Sequence, residues 1–179
     1  MGLFDDEISR DAAVRADTAA AERSAQESRL ADATAAVTEV IEVLRECAAY
    51  LASNTKARSV EFGPEKKLLR KRLRSPEGFI LESQTSYHSG AERFALLTPD
   101  GQLWSSTFKG PTFSHGFAPV TADAIADGRL RLGGDTHVSS AGGRAVAKTV
   151  MSHGDPPRIE PLAKYLAGRA RLIVERDNR

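Results

Sequence analysis

Hydrophobic positions are sparse in the first third of the chain and become periodic only toward its end. Leu30, Val37, Leu44 and Leu51 recur every seven residues, with Ala33, Val40, Ile41 and Cys47 at the intervening positions. This spacing predicts an amphipathic helix with a heptad-type apolar stripe over three repeats. Before Leu30 the stripe thins to Ile8, Ala12, Ala16, Ala19 and Ala20. Alanine permits close helix approach but buries little area, at about 25 cal/mol per Å². No proline or glycine falls between Leu3 and Leu51, and fourteen alanines fall between Ala12 and Ala52. One helix is expected across the whole stretch, because alanine loses no side-chain entropy and nothing interrupts the backbone ladder. Ser53-Asn54-Thr55 is its expected stop. Unbroken, the helix would run about 70–75 Å, against a radius of gyration of about 14 Å for the remaining residues folded compactly. Such a rod must project, fold back as a helical hairpin, or pair with another helix as a coiled coil.

Beyond the helix the pattern shortens to strands. Ala57 to Phe62 reads as a short strand ended by Gly63-Pro64. Residues 65–74 read as a helix with Leu68, Leu69 and Leu73 on one side, or as a strand on which leucines alternate with charges. Three apolar runs follow, Phe79–Glu82, Arg93–Leu97 and Gln102–Phe108. The last two flank Thr98-Pro99-Asp100-Gly101, a turn sequence with proline second and glycine fourth, so a β-hairpin is expected there. His115 to Pro119 reads as loop, Thr121–Ala126 as one or two helical turns, Arg129–Leu132 as a short strand, and Ala145–Met151 as strand or helix. Ile159, Leu162, Leu166, Ala170 and Ile173 are spaced by three and four, which predicts a terminal helix whose apolar face needs a sheet to cover it.

The fold class expected is α+β: a long N-terminal α-helix, then a small, mainly antiparallel β-sheet domain packed by a C-terminal helix. The expected division is a helical arm over residues 1–55 and a domain over 56–179 that opens with a basic segment, 66–74.

Charge sharpens this division. Residues 1–55 carry eleven acids and five arginines, whereas residues 56–74 carry eight bases and two acids, although the whole chain is only +1. The single cysteine, Cys47, excludes an internal disulfide and suits a reducing compartment. The opening Met-Gly-Leu-Phe-Asp-Asp lacks the apolar run of a secretory signal, and Asp6 stands where a myristoylation motif wants Ser or Thr. No apolar stretch approaches the 18 residues of a membrane span. The expectation is a cytoplasmic protein with no membrane contact.

Three features suggest function. The helix stripe, through Leu30, Val37, Ile41, Leu44 and Leu51, is a candidate for oligomerisation or for docking a partner helix. Its alternative use is to pack within the chain. The basic segment, with Lys66, Lys67, Arg70, Lys71, Arg72 and Arg74, could neutralise the phosphates of a nucleic acid, or could simply offset the acidic helix. The polar loop bracketed by Gly133-Gly134 and Gly142-Gly143 could cradle an anion with its backbone amides, serine hydroxyls and Arg144, or could be only a flexible connection; Asp135, His137 and Ser139, which could share one face if extended, invite a catalytic-triad reading. The loop matches neither the Walker pattern nor the dinucleotide fingerprint. The four histidines, His88, His115, His137 and His153, fall in expected loops at spacings that fit no zinc motif. No catalytic residue, metal ligand or cofactor is therefore assigned. The leading expectation is a non-enzymatic interaction or assembly protein that works through residues 30–51. A nucleic-acid-binding accessory protein comes second, and an enzyme or metal site at the histidines a distant third.

Overall fold

The structure is a computed structural model, and it describes residues 3–62, 73–86, 91–109, 112–151 and 155–178. It is an α+β fold. Helix α1 runs Leu3–Asn54 without interruption, which at 1.5 Å per residue is about 78 Å. Its last turn ends where expected, with Thr55 N–H donating to Leu51 O at 2.8 Å. Two strands follow, β1 (Glu61–Phe62) and β2 (Leu73–Arg74), paired antiparallel.

Next come two antiparallel meanders. The first contains β3 (Phe79–Ser86), β4 (Ala91–Leu97), β5 (Leu103–Lys109) and β6 (Thr112–Ala118), in that order across the sheet. A short helix, α2 (Ala122–Ala126), leads to the second. It holds β7 (Arg131–Gly133), β8 (Thr136–Ala141), β9 (Arg144–Thr149) and β10 (Arg158–Pro161). Helix α3 (Leu162–Asp177) closes the fold.

Period-two alternation decides which face each strand residue serves. In the first sheet Phe79, Leu81, Leu97 and Leu103 enter the main core. Their neighbours Phe94, Leu96 and Trp104 point the other way and meet Phe62 from β1 in a second, aromatic cluster. The Phe62 ring lies 5.3 Å from both Phe94 and Trp104, in the tilted and edge-on arrangements that aromatic quadrupoles favour. The β1–β2 pair is thus a cover over the outer face of that sheet. Val60 and Ser75 fasten it: Ser75 N–H donates to Val60 O at 2.9 Å, and Val60 N–H donates to Ser75 Oγ at 2.8 Å.

The main core is shared by α1, α2, α3 and both sheets. From α1 it takes Ala33, Ala36, Val40, Leu44, Cys47, Ala48 and Leu51. From α3 it takes Leu162, Leu166, Ala170 and Ile173, four of the five residues expected on that helix face. Ile159 instead lies exposed in β10, because the chain stays extended until Pro161, whose φ of −53° suits a helix start. The second half of α1 therefore belongs to the body rather than to an appendage.

Local details follow from the sequence. The hairpin turn at Thr98–Gly101 forms as expected, with Gly101 N–H donating to Thr98 O at 2.9 Å. Gly101 takes φ +83°, and a Cβ there would lie 3.1 Å from Arg45 Cα of α1, so both the turn and the helix contact require glycine. A bulge between Ile80 and Glu82 disturbs the β3 ladder at Leu81, and Arg169 of α3 donates two hydrogen bonds to the Leu81 carbonyl.

The stretch 133–144 differs from the open loop expected. It forms strand β8 between two tight turns, and Gly142 and Gly143, at φ +54° and +73°, make the two-residue turn into β9. Positive φ at both centres is the geometry that matches strand twist in a hairpin, and glycine reaches it without strain. His115 to Ala118, also expected as loop, is the second half of β6. There Ser106 pairs with His115 and Trp104 with Phe117, and these sheet bonds outweigh the local preference of Gly116.

Candidate functional site

A helix turns 100° per residue, so the faces of α1 can be followed along its length. The residues that enter the core, from Ala33 to Leu51, occupy one sector. Continued toward the N-terminus, that sector holds Arg29, Glu22, Arg15 and Asp11. The apolar face therefore ends near residue 33, and the helix parts from the body there. From Arg10 to Ala31 every residue is exposed. This free rod extends about 40 Å beyond the last core contact.

The stripe read from the sequence is divided by this arrangement. Leu44 and Leu51 are 0% exposed, enclosed by the chain's own core, and have no surface left for a second chain. Val37 and Ile41 are half-buried, and Leu30 is 37% exposed. These last three lie about 60° around the helix from the centre of the core sector. They are in line with Ile8, Ala12, Ala16 and Ala19 on the free rod, among which Ile8 is 64% exposed. Arg23 interrupts the line. Glu42 and Glu46 lie on the far side of the helix from it.

The other flank of α1 meets α3. Between them runs a groove of about 290 Å³, walled by Val43, Cys47, Tyr50, Leu166 and the alanines 163, 167 and 170, with Glu46 and Arg171 at its rim. Burial pushes the Cys47 thiol up to about 11, so it is protonated and unreactive at neutral pH.

Glu39 is a site residue that sequence reasoning did not find. Its carboxylate accepts from Arg144 Nε at 3.0 Å, from Arg144 Nη2 at 3.1 Å and from Ala145 N–H at 3.0 Å. The backbone donor and then the guanidinium hold its pKa below the usual 4.5. Arg144, offered by the sequence as one donor to an external anion, is thus engaged with the chain's own carboxylate, together with the Ala145 amide. Nothing local could have revealed this, since the partners are 105 residues apart.

Other candidates are scattered. Asp135 bridges to Arg93 at 3.7 Å, while His137 and Ser139 lie in β8, so these three do not converge as a triad. His137 sits against Gly128, where a Cβ would come within 2.7 Å of its ring. Its pKa is lowered below 6.5, first by burial and then by Lys148 and Arg131. His115 packs its ring on Phe62 and Trp104, at 5.7 and 5.9 Å. His88 and His153 lie outside the described residues, as do Lys66, Lys67, Arg70, Lys71 and Arg72. Arg74, at the end of that basic segment, is exposed on β2. Among the described residues no group of three His, Cys, Asp or Glu side chains is placed to hold a metal ion, and no helix is long and apolar enough to cross a membrane.

Comparison with protein-family models, with curated protein sequences and with solved structures finds no match for this chain.

Proposed function

We propose that this is a cytoplasmic, non-enzymatic assembly protein that pairs with a second copy of itself along the flank of α1. The observation that supports this reading is the free rod. Some 22 consecutive helical residues, Arg10 to Ala31, bury nothing within the chain. A helix so exposed gains no stability from its own fold beyond propagation from the anchored half, so its use lies in what it reaches. The stripe through Ile8, Ala12, Ala16, Ala19, Leu30 and Ile41 is the apolar line left to it. Paired with the same line on a second chain, it satisfies both copies at once, as a two-fold contact does. Its small residues let the two backbones approach closely. Glu39, neutralised within its own chain by Arg144, and Glu42 and Glu46, on the far side, do not oppose the pairing.

The test is light scattering on the full chain and on a variant carrying Ile8→Glu, Leu30→Glu and Ile41→Glu. The wild type is expected to be a dimer. The variant is expected to be a monomer with unchanged helical circular dichroism. A wild-type monomer, or a variant that still dimerises, refutes the reading.

One observation keeps a second reading in view. The pairing of Glu61 with Arg74 and of Phe62 with Leu73 ties together the two ends of the basic segment. The sequence between them carries Lys66, Lys67, Arg70, Lys71 and Arg72, a density of positive charge suited to a phosphate backbone. Generic DNA and RNA at low and high salt test it. Loss of binding when Lys67, Arg70, Lys71 and Arg74 become Gln would support it, and no binding at low salt would dispose of it.

A further inference from the structure

The two meanders diverge at their β5–β6 and β7 ends and leave a cleft of about 270 Å³. One wall comes from the β5–β6 ribbon. Thr107 pairs with Ser114 and Ser105 with Gly116, and cross-strand partners share a face. That face is also the one on which Leu103 pairs with Ala118 and enters the main core. Past the core it continues outward as three hydroxyls, Ser105, Thr107 and Ser114. The facing wall carries Arg129, just before β7, and Arg131, its first residue.

The lining contains hydrogen-bond donors and two fixed positive charges but no carboxylate. Arg129 bridges to Asp127 at 3.3 Å, outside the cleft. Arg131 makes no ion pair among the described residues. Along the sheet from Arg131 lie His137 and then Lys148, in cross-strand register. Arg131 and Lys148 both lower the His137 pKa, so this flank of the cleft is a positive field held by fixed strands. Elsewhere the fold neutralises an exposed arginine against a carboxylate, as Glu39 does for Arg144. Here Arg129 has Asp127 outside the cleft, while Arg131 has no carboxylate partner among the described residues and shares the lining with the hydroxyls.

We propose that this cleft binds a phosphate-type oxyanion. Two guanidinium forks matched to tetrahedral oxygens, with hydroxyl donors opposite, form the donor set such a group requires. At about 270 Å³ the cleft has room for more than a bare phosphate. Gly116 leaves open space, and the exposed Phe117 ring stands at the edge. Free phosphate and a small phosphate monoester share the chemistry. The proposal is independent of dimerisation, since neither the rod nor the α1 stripe contributes to the cleft.

The experiment is titration of the full chain, by calorimetry and by thermal shift, with inorganic phosphate, glycerol 3-phosphate, and sodium chloride at matched ionic strength. One saturable site for either phosphate and none for chloride is expected. The tighter of the two phosphates tells which source the site suits. Arg129→Gln and Arg131→Gln are each expected to weaken binding at least tenfold, while Arg171→Gln, in the distant α1–α3 groove, leaves it unchanged. Phosphate-dependent amide shifts in the wild type should centre on residues 105, 107 and 114, a readout that needs no variant. Absence of saturable binding, equal binding by the Arg129→Gln/Arg131→Gln double variant, or amide shifts centred elsewhere overturns the proposal.

Discussion

Glu39 joins two parts of the chain that are far apart in sequence, and its chemistry sets a pH limit on the fold. Its carboxylate is stabilised by the Ala145 amide and the Arg144 guanidinium, so its folded pKa lies below the unfolded value. The stability it contributes is present at neutral pH and is lost as pH falls below about 4.5. His137 acts in a different window. Burial beside Lys148 and Arg131 favours the neutral ring, so on acidification the unfolded chain takes up a proton before the folded one does. Stability therefore falls as pH drops through about 6.5. Thermal melts at about pH 7.5 and 5.5 should show a smaller loss of Tm for His137→Gln than for the wild type, while Glu39→Gln should flatten the further loss below about pH 4.5. An unchanged His137→Gln profile would show that the ring titrates freely.

At the scale of elements, the packing of α1 decides what the helix can do. Leu44 and Leu51 stand in the main core with the apolar residues of α3 and the inner strand faces. Leu44→Ala should cost about 2–5 kcal/mol, the range for a fully buried leucine. Because the contact lies within one chain, the loss measured by denaturant unfolding should be the same at all protein concentrations. A concentration-dependent loss would place Leu44 at an interface instead. The same packing shows why the sequence was legible in part. The uninterrupted α1, the Thr98–Gly101 hairpin and the Leu162–Ile173 face were all readable, because each depends on local periodicity or turn chemistry. The heptad stripe was visible too, but a three-to-four spacing is satisfied equally by a partner helix and by the chain's own sheets. Only the sheet positions reveal that Leu44 and Leu51 are spent internally while Leu30 is not. The stretch 133–144 and the second half of β6 read as loops in the sequence, because glycine marks a strand turn as readily as an irregular segment. The Arg129–Arg131 cleft was not legible at all, since strands from two meanders build it.

For the whole molecule, the account is a body fixed on the second half of a long helix, with the first half held away from it. From Asp11 to Arg29 the sector that continues the core face is polar, so that half buries nothing in the body, and the proposed pairing would use its narrow flank of small and apolar residues. The body supplies rigidity and, in the cleft between its meanders, a separate place for an anion. Association between copies through the free rod is what the rest of this picture depends on. Sedimentation equilibrium of the unmodified chain from about 1 to 100 μM tests this most directly, since a specific contact of modest size has its midpoint within or below that range. The mass is expected to reach twice that of one chain. A mass that stays at one chain across the whole range would contradict it.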